Sequence, residues 1–471
     1  MWPHLFETIR EATEGEKATC TIQSFVGVIV GAPCHTACRS LLPQVLMRLR
    51  LPPPSPPFFR SLELNLAAWP AIALNARLAS AGLPWAVRQD GVWSIVRGFE
   101  GSMGKLTGIT VLDLTQFLPG PMMTVMMADQ GAKVIKIEPP HGDPAREQEP
   151  FDTYGDEEQS VWFANLNRGK RSYALDLKSD TGKAKLTELI AKADVFVEGF
   201  RPGVMKRLGF DYDSVKAIKS DIVYCSISAF GQSGELSHHP AHDLAVQAMA
   251  GFLSVNDGAD GAPVVPGVAS SDMAAGLTAL SSVLMALLGR ERIGEGAYID
   301  CAMFDSLLPW CTHTASGAIA GLEAPQSANQ RSLGGAAFYQ VYETADGKHV
   351  VLGGRETKFA QNLLTALNRE DLIEHALRPA GEQYELIQFL RETFAQRTRD
   401  EWVDWFADKD VAFASVLDFR EALDQPHVAE RGLWIEAEAG GRHIAPAIRF
   451  DGDVWHPRSA PRLGEANEVG K

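Results

Sequence analysis

GITVLDLTQFLPGPMMTVMMADQGAKVIKIE, residues 108–138, decides the fold. Two β-rich runs, 108–114 (GITVLDL) and 133–138 (KVIKIE), are separated by a helix-like stretch of small and apolar residues. A connection of that length suits a crossover between parallel strands. The pattern repeats downstream, with β-rich runs at 171–177 (RSYALDL), 194–198 (DVFVE) and 222–228 (IVYCSIS). A helix is expected over 182–192, where Leu186, Leu189 and Ile190 share one face behind the capping candidates Ser179 and Asp180. Strands alternating with helices at this spacing specify a parallel, doubly wound α/β sheet. The first turn, TQFLPGPMMT, lacks GxGxxG, so a dinucleotide site is not supported.

Working outward, a helical stretch near 302–322 closes a large domain spanning 103–322. A Gly/Ser/Gln-rich connector follows at 323–335. Residues 336–428 read as a smaller α+β domain, with strands at 338–343 and 348–353 joined by the turn Ala345-Asp346-Gly347. The tail, 429–471, has a strand or two and is expected to return to the large domain. Residues 1–102 differ in character, with nine Lys+Arg against seven Asp+Glu, PPPSPP at 52–57 and three of the six cysteines before residue 39. A helix and a short hairpin are conceivable over 62–98. Cys34-His35-Thr36-Ala37-Cys38, even with Cys20 nearby, fits no standard zinc spacing, so these are read as incidental thiols. No function is assigned to the segment.

The chain has 471 residues, 45% apolar and 22% charged, which is ordinary for a globular protein. A net charge of −15 argues against a nucleic-acid or anionic-membrane surface, so a phosphorylated ligand must find local basic clusters. Six cysteines over this length are no disulfide framework and suggest a reducing compartment. The longest apolar helix-like run, 273–288, is too short to span a bilayer and ends at Arg290, Glu291 and Arg292. Glu7, Glu11, Glu14 and Glu16 stand where a secretory leader needs basic residues, and Val469-Gly470-Lys471 matches no familiar address. A cytoplasmic location is expected.

Chemistry concentrates in two residues thirty apart. His242 opens HDLAVQAMAG and Asp272 opens DMAAGLTALSSVLMALLG, each on a small-residue turn before an apolar helix. An imidazole and a carboxylate so placed suit two opposed proton carriers, or a nucleophile with a helper. Ser270 and Ser271 are capping candidates that put Asp272 in the first turn of its helix, where free N–H groups favour an anion and lower its pKa. The bland alternatives are an N-cap aspartate and a structural loop histidine; His238 and His239 read as solvated loop residues.

The strings FLPGPMMTVMMADQGAKVIKIEPPHGDPAR, NRGKRSYALDLK, VEGFRPGVMKRLGF and GRERIGEGAYIDCAMFDS resemble the family III coenzyme A transferases of the CaiB/BaiF type. That superfamily includes the α-methylacyl-CoA racemases. The likeness runs from about residue 105 to the C-terminus and leaves residues 1–102 untouched. It implies an acyl-CoA thioester substrate and a large Rossmann-like domain with a smaller α+β domain. It also implies a homodimer whose chains interlock, with no nucleic acid and no membrane as partner. Asp272 matches the family's catalytic aspartate, a nucleophile in transferases and one of two bases in racemases. The AHD string around His242 matches the racemase subgroup, where the histidine is the second base. Glu356, in GGRETKF, matches the glutamate that orients that histidine and could act from its own chain or the partner. Arg201 and Arg207 match residues that contact CoA, and Lys170 and Arg171 are further candidate cations. Pro139 replaces an arginine that many relatives carry after the second strand.

These likenesses favour racemisation at C2 of a 2-methylacyl-CoA, a reaction of lipid metabolism. One base would remove the α-proton and the other would return one to the opposite face of the enolate. N–H groups at the start of the Asp272 helix would hold the thioester oxygen. No metal or redox cofactor is called for; the CoA thioester is the substrate. The alternative is a CoA-transferase working through an aspartyl-CoA thioester on Asp272, which IKIEPPHGDPAR and SSDMAAG resemble more closely. The sequence names no acyl group.

Overall fold

The computed structural model describes residues 104–468, apart from 259, 437–439, 451–454 and 457, and the backbone of 85–89 and 92–96. Contacts divide the chain between Ser102 and Met103. Of the first segment, the antiparallel pair Trp85–Gln89 with Val92–Val96 matches the hairpin expected within 62–98. The expected helix in that range and the Cys20–Cys38 cluster lie outside the described residues.

The main unit is built on six parallel strands: β1 (Thr110–Leu114), β2 (Lys133–Glu138), β3 (Arg171–Ala174), β4 (Val195–Glu198), β5 (Val223–Ser228) and β6 (Ala297–Ala302). Their order across the sheet is β6-β5-β4-β1-β2-β3. The direction of winding reverses between β1 and β4, so the turns after those two strands diverge and leave a crevice at their carboxyl ends. Five of the strands match expectation. The sixth, AYIDCA, pairs in parallel with β5 and completes the edge beyond it; Asp300 interrupts its apolar run, which weakens the local strand signal.

Side-chain alternation explains burial on both faces. Val111, Val195 and Val197 point to one side, where Met123, Met127, Ala275, Ala279 and Val283 meet them. Leu112, Ile135 and Phe196 point to the other, against Leu186, Ile190, Met205 and Val215. The first layer contains α1 (Pro119–Asp129) and the second α2 (Asp180–Ile190). Ser179 caps α2, accepting the Gly182 N–H at 3.1 Å. The helix therefore starts and ends two residues before the expected 182–192.

Beyond β5 come α3 (Asp243–Met249) and α4 (Ser270–Ile293), then α5 (Met303–Trp310). At 24 residues, α4 is longer than the apolar run 273–288, and by length and composition it could cross a bilayer. One side of it nonetheless packs in the core through Ala275, Ala279, Val283 and Leu287. Gly276 allows α4 to cross α1 closely, since a Cβ there would lie 2.8 Å from the Pro119 carbonyl oxygen.

The smaller α+β region has β7 (Tyr339–Glu343), β8 (His349–Gly353) and β9 (Phe413–Ser415) in an antiparallel sheet. Its core joins Tyr342, Val350 and Leu352 to Leu363, Leu390, Phe394, Trp402 and Phe406 from three helices, α6 (Thr357–Ala366), α7 (Tyr384–Phe394) and α8 (Arg399–Phe406). The tail comes back to β3. Asn467 accepts the Ala174 N–H at 2.9 Å and donates to the Ala174 carbonyl at 3.2 Å, while the Gly464 N–H reaches Ser172 Oγ at 3.0 Å. These contacts satisfy polar groups on an exposed sheet edge.

Candidate active site

The turn after β1 forms one wall of the crevice, and a buried charge cluster fixes its shape. Asp113 accepts the Thr115 N–H at 3.0 Å, the Thr124 hydroxyl at 2.6 Å and the Lys170 ammonium at 3.0 Å. Burial pushes this carboxyl up, but Lys170, Lys136 and the two threonine hydroxyls together hold it well below the usual carboxylate range. Lys136 donates to the Thr115 carbonyl at 3.0 Å and pairs with Asp143 at 2.8 Å. So held, the chain carries Phe117 through φ +60, a left-handed conformation uncommon for a bulky residue. Gly120 sits so near Thr115 that a Cβ would come within 2.3 Å of the threonine side chain.

The turn after β4 forms the opposite wall. Glu198 is buried at the strand end, accepting the Ser226 hydroxyl and, at 2.8 Å, the Phe200 N–H. Burial raises its carboxyl to about 7. These bonds shape the Gly199–Pro202 turn, and Arg201 lines the cleft. Arg207 follows on the short helix Val204–Leu208, exposed and outside the cleft.

His242 and Asp272 both line this cleft, a space of about 180 Å³ that also takes in Phe117, Gly199 and Ser228. His242 is the residue before α3; its imidazole is exposed and meets the Phe117 ring edge-on. Asp272 lies in the first turn of α4, as expected, but neither serine caps that helix. The cap position is Ala269, with no side-chain bond. Asp243, next to His242 in sequence, supplies the acceptor instead. Its Oδ1 takes the Ser271 N–H at 2.8 Å, the Ser271 hydroxyl at 2.7 Å and the Asp272 N–H at 3.2 Å.

Two expectations are corrected by this arrangement. The helix-start N–H groups of Ser271 and Asp272 are occupied, so they are not a vacant oxyanion hole. The Asp272 carboxyl is also raised rather than lowered, to about 7, first by burial and then by the Asp243 charge. Its oxygens accept no hydrogen bond among the described residues.

Glu356 is not brought to His242 within one chain. It precedes α6 and lines a separate cavity of about 130 Å³ with Arg331, Tyr339 and Arg355, and its Oε2 accepts the Arg355 N–H at 3.0 Å. Lys170 is buried, donating to Asp113, Asn167 and the Pro121 carbonyl, so its ammonium is not offered to a ligand. Arg171 opens β3 and therefore stands at the amino end of the strand, away from the crevice. Lys170 therefore belongs to the scaffold, and Arg171 does not face the cleft.

A cation that the sequence reading passed over does lie near the crevice. Lys178, exposed, borders an apolar cavity of about 260 Å³ formed by Leu114, Ile137, Pro139, Leu177 and Val204. That cavity shares Gln116 and Phe200 with the Asp272 cleft. Its position just after β3, at the carboxyl end of the sheet, was the available signal. Pro139 lines the apolar wall instead of presenting a charge.

The fold and this site define an α/β protein with a largely buried carboxyl facing a cleft at the switch point of a parallel sheet. The chain belongs to CoA-transferase family III, whose sequence profile matches residues 106–467. It is 36% identical over 372 residues to the acetyl-CoA:oxalate CoA-transferase of Acetobacter aceti, covering 77% of this chain and 94% of that one. It is 33% identical to the succinyl-CoA:glutarate CoA-transferase of Mus musculus, over 77% and 85% of the two chains. The α-methylacyl-CoA racemase of Homo sapiens is 32% identical, over 71% and 83%. Among solved structures, a CAIB/BAIF family protein from Brucella suis superposes with a TM-score of 0.70 at 29% identity, covering 78% of this chain and 98% of that one.

Proposed function

We propose that this enzyme is a CoA-transferase that moves CoA from an acyl-CoA donor to a free carboxylic acid through Asp272. One observation carries the reading: the Asp272 carboxylate faces the cleft with no hydrogen bond of its own among the described residues, so both oxygens are available to a carbonyl carbon. Asp272 attacks the donor thioester, the C–S bond breaks, and a mixed anhydride forms with release of CoA thiolate. The thiolate attacks the aspartyl carbonyl and displaces the donor acid as its carboxylate, leaving an aspartyl-CoA thioester. The acceptor carboxylate repeats the two steps in reverse and leaves as acyl-CoA, restoring Asp272. A carboxyl near 7 is half ionised at neutral pH and poorly solvated, which favours attack.

Arg201 at the cleft and Lys178 beside the apolar cavity suit the phosphates and adenine of CoA. Relatives named for oxalate and glutarate point to a short dicarboxylic acid as acceptor. We take the working form to be a cytoplasmic homodimer, with the exposed Met285 and Leu288 of α4 as interface candidates.

A second reading is favoured by His242. With Asp272 raised to about 7, the cleft holds a carboxyl and an imidazole, the two kinds of proton carrier that racemisation of a 2-methylacyl-CoA requires. Against it, the His242 ring has no hydrogen-bonded partner among the described residues, and Glu356 lines another cavity. One assay separates the two. With acyl-CoA and an acceptor acid in D2O, transfer moves CoA to the acid, and hydroxylamine traps Asp272. Racemisation instead places deuterium at C2 with no acceptor present. Deuterium uptake without CoA transfer to any short mono- or dicarboxylic acid would overturn the transferase reading.

A further inference from the structure

Asp243 is joined to His242 and to Asp272 by different means. It follows His242 directly, so its backbone fixes where the imidazole leaves the chain. Its side chain crosses to α4 and takes the Ser271 N–H, the Ser271 hydroxyl and the Asp272 N–H on a single oxygen. The other oxygen takes the Gln247 amide, one turn further along α3; that amide also donates to the Val268 carbonyl at 3.3 Å, just ahead of α4. The start of α3 and the start of α4 are therefore tied by one carboxylate and its glutamine.

We propose that Asp243 is the positioning residue of this site, a clamp that sets the spacing of Asp272 from His242 and keeps a negative charge behind the reacting carboxylate. The inference rests on Asp272 being the reacting carboxylate and holds for transfer and for racemisation alike. The charge matters because a helix start would otherwise stabilise an ionised Asp272 through its N–H groups. Asp243 consumes those donors and replaces their partial positive charge with a full negative one. Other ionisable groups near α4 are differently engaged. Asp300 on β6 accepts the Gln232 N–H, Asp129 on α1 is paired with Arg168, and Asp305 is exposed on α5. Arg201, His239 and His242 face the cleft from its loops.

The test is an NMR titration of full-length protein carrying 13C-carboxyl aspartate, with the Asp272 signal assigned by its loss in Asp272→Asn. Asp243→Asn preserves an acceptor oxygen for the three donors and removes the charge. Gln247 can turn its amide to meet the new NH2, because its own Oε1 lacks a partner. The wild type should titrate near 7. Asp243→Asn should titrate lower by about one unit or more, the scale of a nearby like charge, with its melting temperature little changed. An unshifted midpoint in a folded Asp243→Asn overturns the proposal. Ser271→Ala provides the check should the Asp243→Asn variant not fold. It keeps both charges and removes the 2.7 Å bond, so kcat should fall several-fold with KM unmoved and the Asp272 midpoint still near 7. Wild-type kcat in Ser271→Ala overturns the clamp. The titration needs no turnover, so it stands or fails independently of which reaction the enzyme performs.

Discussion

The ring of Phe117 meets the imidazole of His242 edge-on, with centroids 6.3 Å apart and planes at 88°. Phe117 also approaches Trp162, at 6.5 Å between ring centroids. A left-handed phenylalanine costs about 1–2 kcal/mol relative to glycine, yet the buried cluster beneath it enforces that backbone. The ring is therefore held against the histidine by the scaffold. Phe117→Gly should leave stability within about 1 kcal/mol, since relieved strain offsets lost contacts. Activity should fall about tenfold as the imidazole loses its neighbour. Thermal melts beside steady-state kinetics check this, and a large loss of stability with normal kcat would sink it.

Asp272 ties activity and stability to pH in opposite senses. A nucleophilic carboxylate must be ionised, so kcat/KM should rise with pH and level off above an apparent pKa near 7. Stability runs the other way. The folded-state pKa lies above the unfolded value, so the native protein binds the extra proton between about 4 and 7 and loses stability as pH rises through that window. Asp272→Asn should abolish turnover while raising the melting temperature more at pH 8 than at pH 5. Equal effects at the two pH values would contradict the raised carboxyl.

Two lysines eight residues apart should behave as opposites. Lys170→Met leaves the buried carboxylate of Asp113 without its ammonium, and breaking such a pair costs about 3–5 kcal/mol. Lys178 is exposed beside the apolar cavity, so Lys178→Met should raise KM for acyl-CoA about five- to tenfold at unchanged kcat and melting temperature. Urea denaturation and initial rates on both variants separate the roles.

Gly276 offers a packing test. A methyl there meets the Pro119 carbonyl at 2.8 Å, a backbone atom that cannot swing aside. Gly276→Ala should cost about 1–3 kcal/mol, as overpacking does, and should lower kcat by displacing Asp272 one turn earlier on α4. Restored activity in a second-site variant shortening Met122, also near that position at 3.2 Å, would confirm the crossing as the cause.

Most of the sheet was legible because alternation and helical spacing are local signals. Residues 133–138 fold with the bounds their pattern predicts, and β7 and β8 fall within one residue of expectation. The candidate pair was legible too: His242 and Asp272 do share a cleft. What failed depended on through-space partners. Ser270 and Ser271 look like caps in one dimension, but Asp243 arrives from another helix and takes the donors. Lys170 and Arg171 look like adjacent surface cations, whereas strand direction buries one and turns the other to the far end of the sheet. Sequence reading cannot assign a pKa sign when burial decides it and the charge that reinforces it is twenty-nine residues away.

Asn467 reaches back to Ala174 across a sequence separation of 293 residues. During synthesis, the edge of the sheet at β3 must therefore wait, its N–H and C=O groups open, until residue 467 has cleared the ribosome. At about 5–20 residues per second, that interval is tens of seconds to about a minute. Nascent chains of this protein carry an unfinished β edge for that long, so chaperone demand and aggregation during expression should be governed by when residues 464–467 emerge.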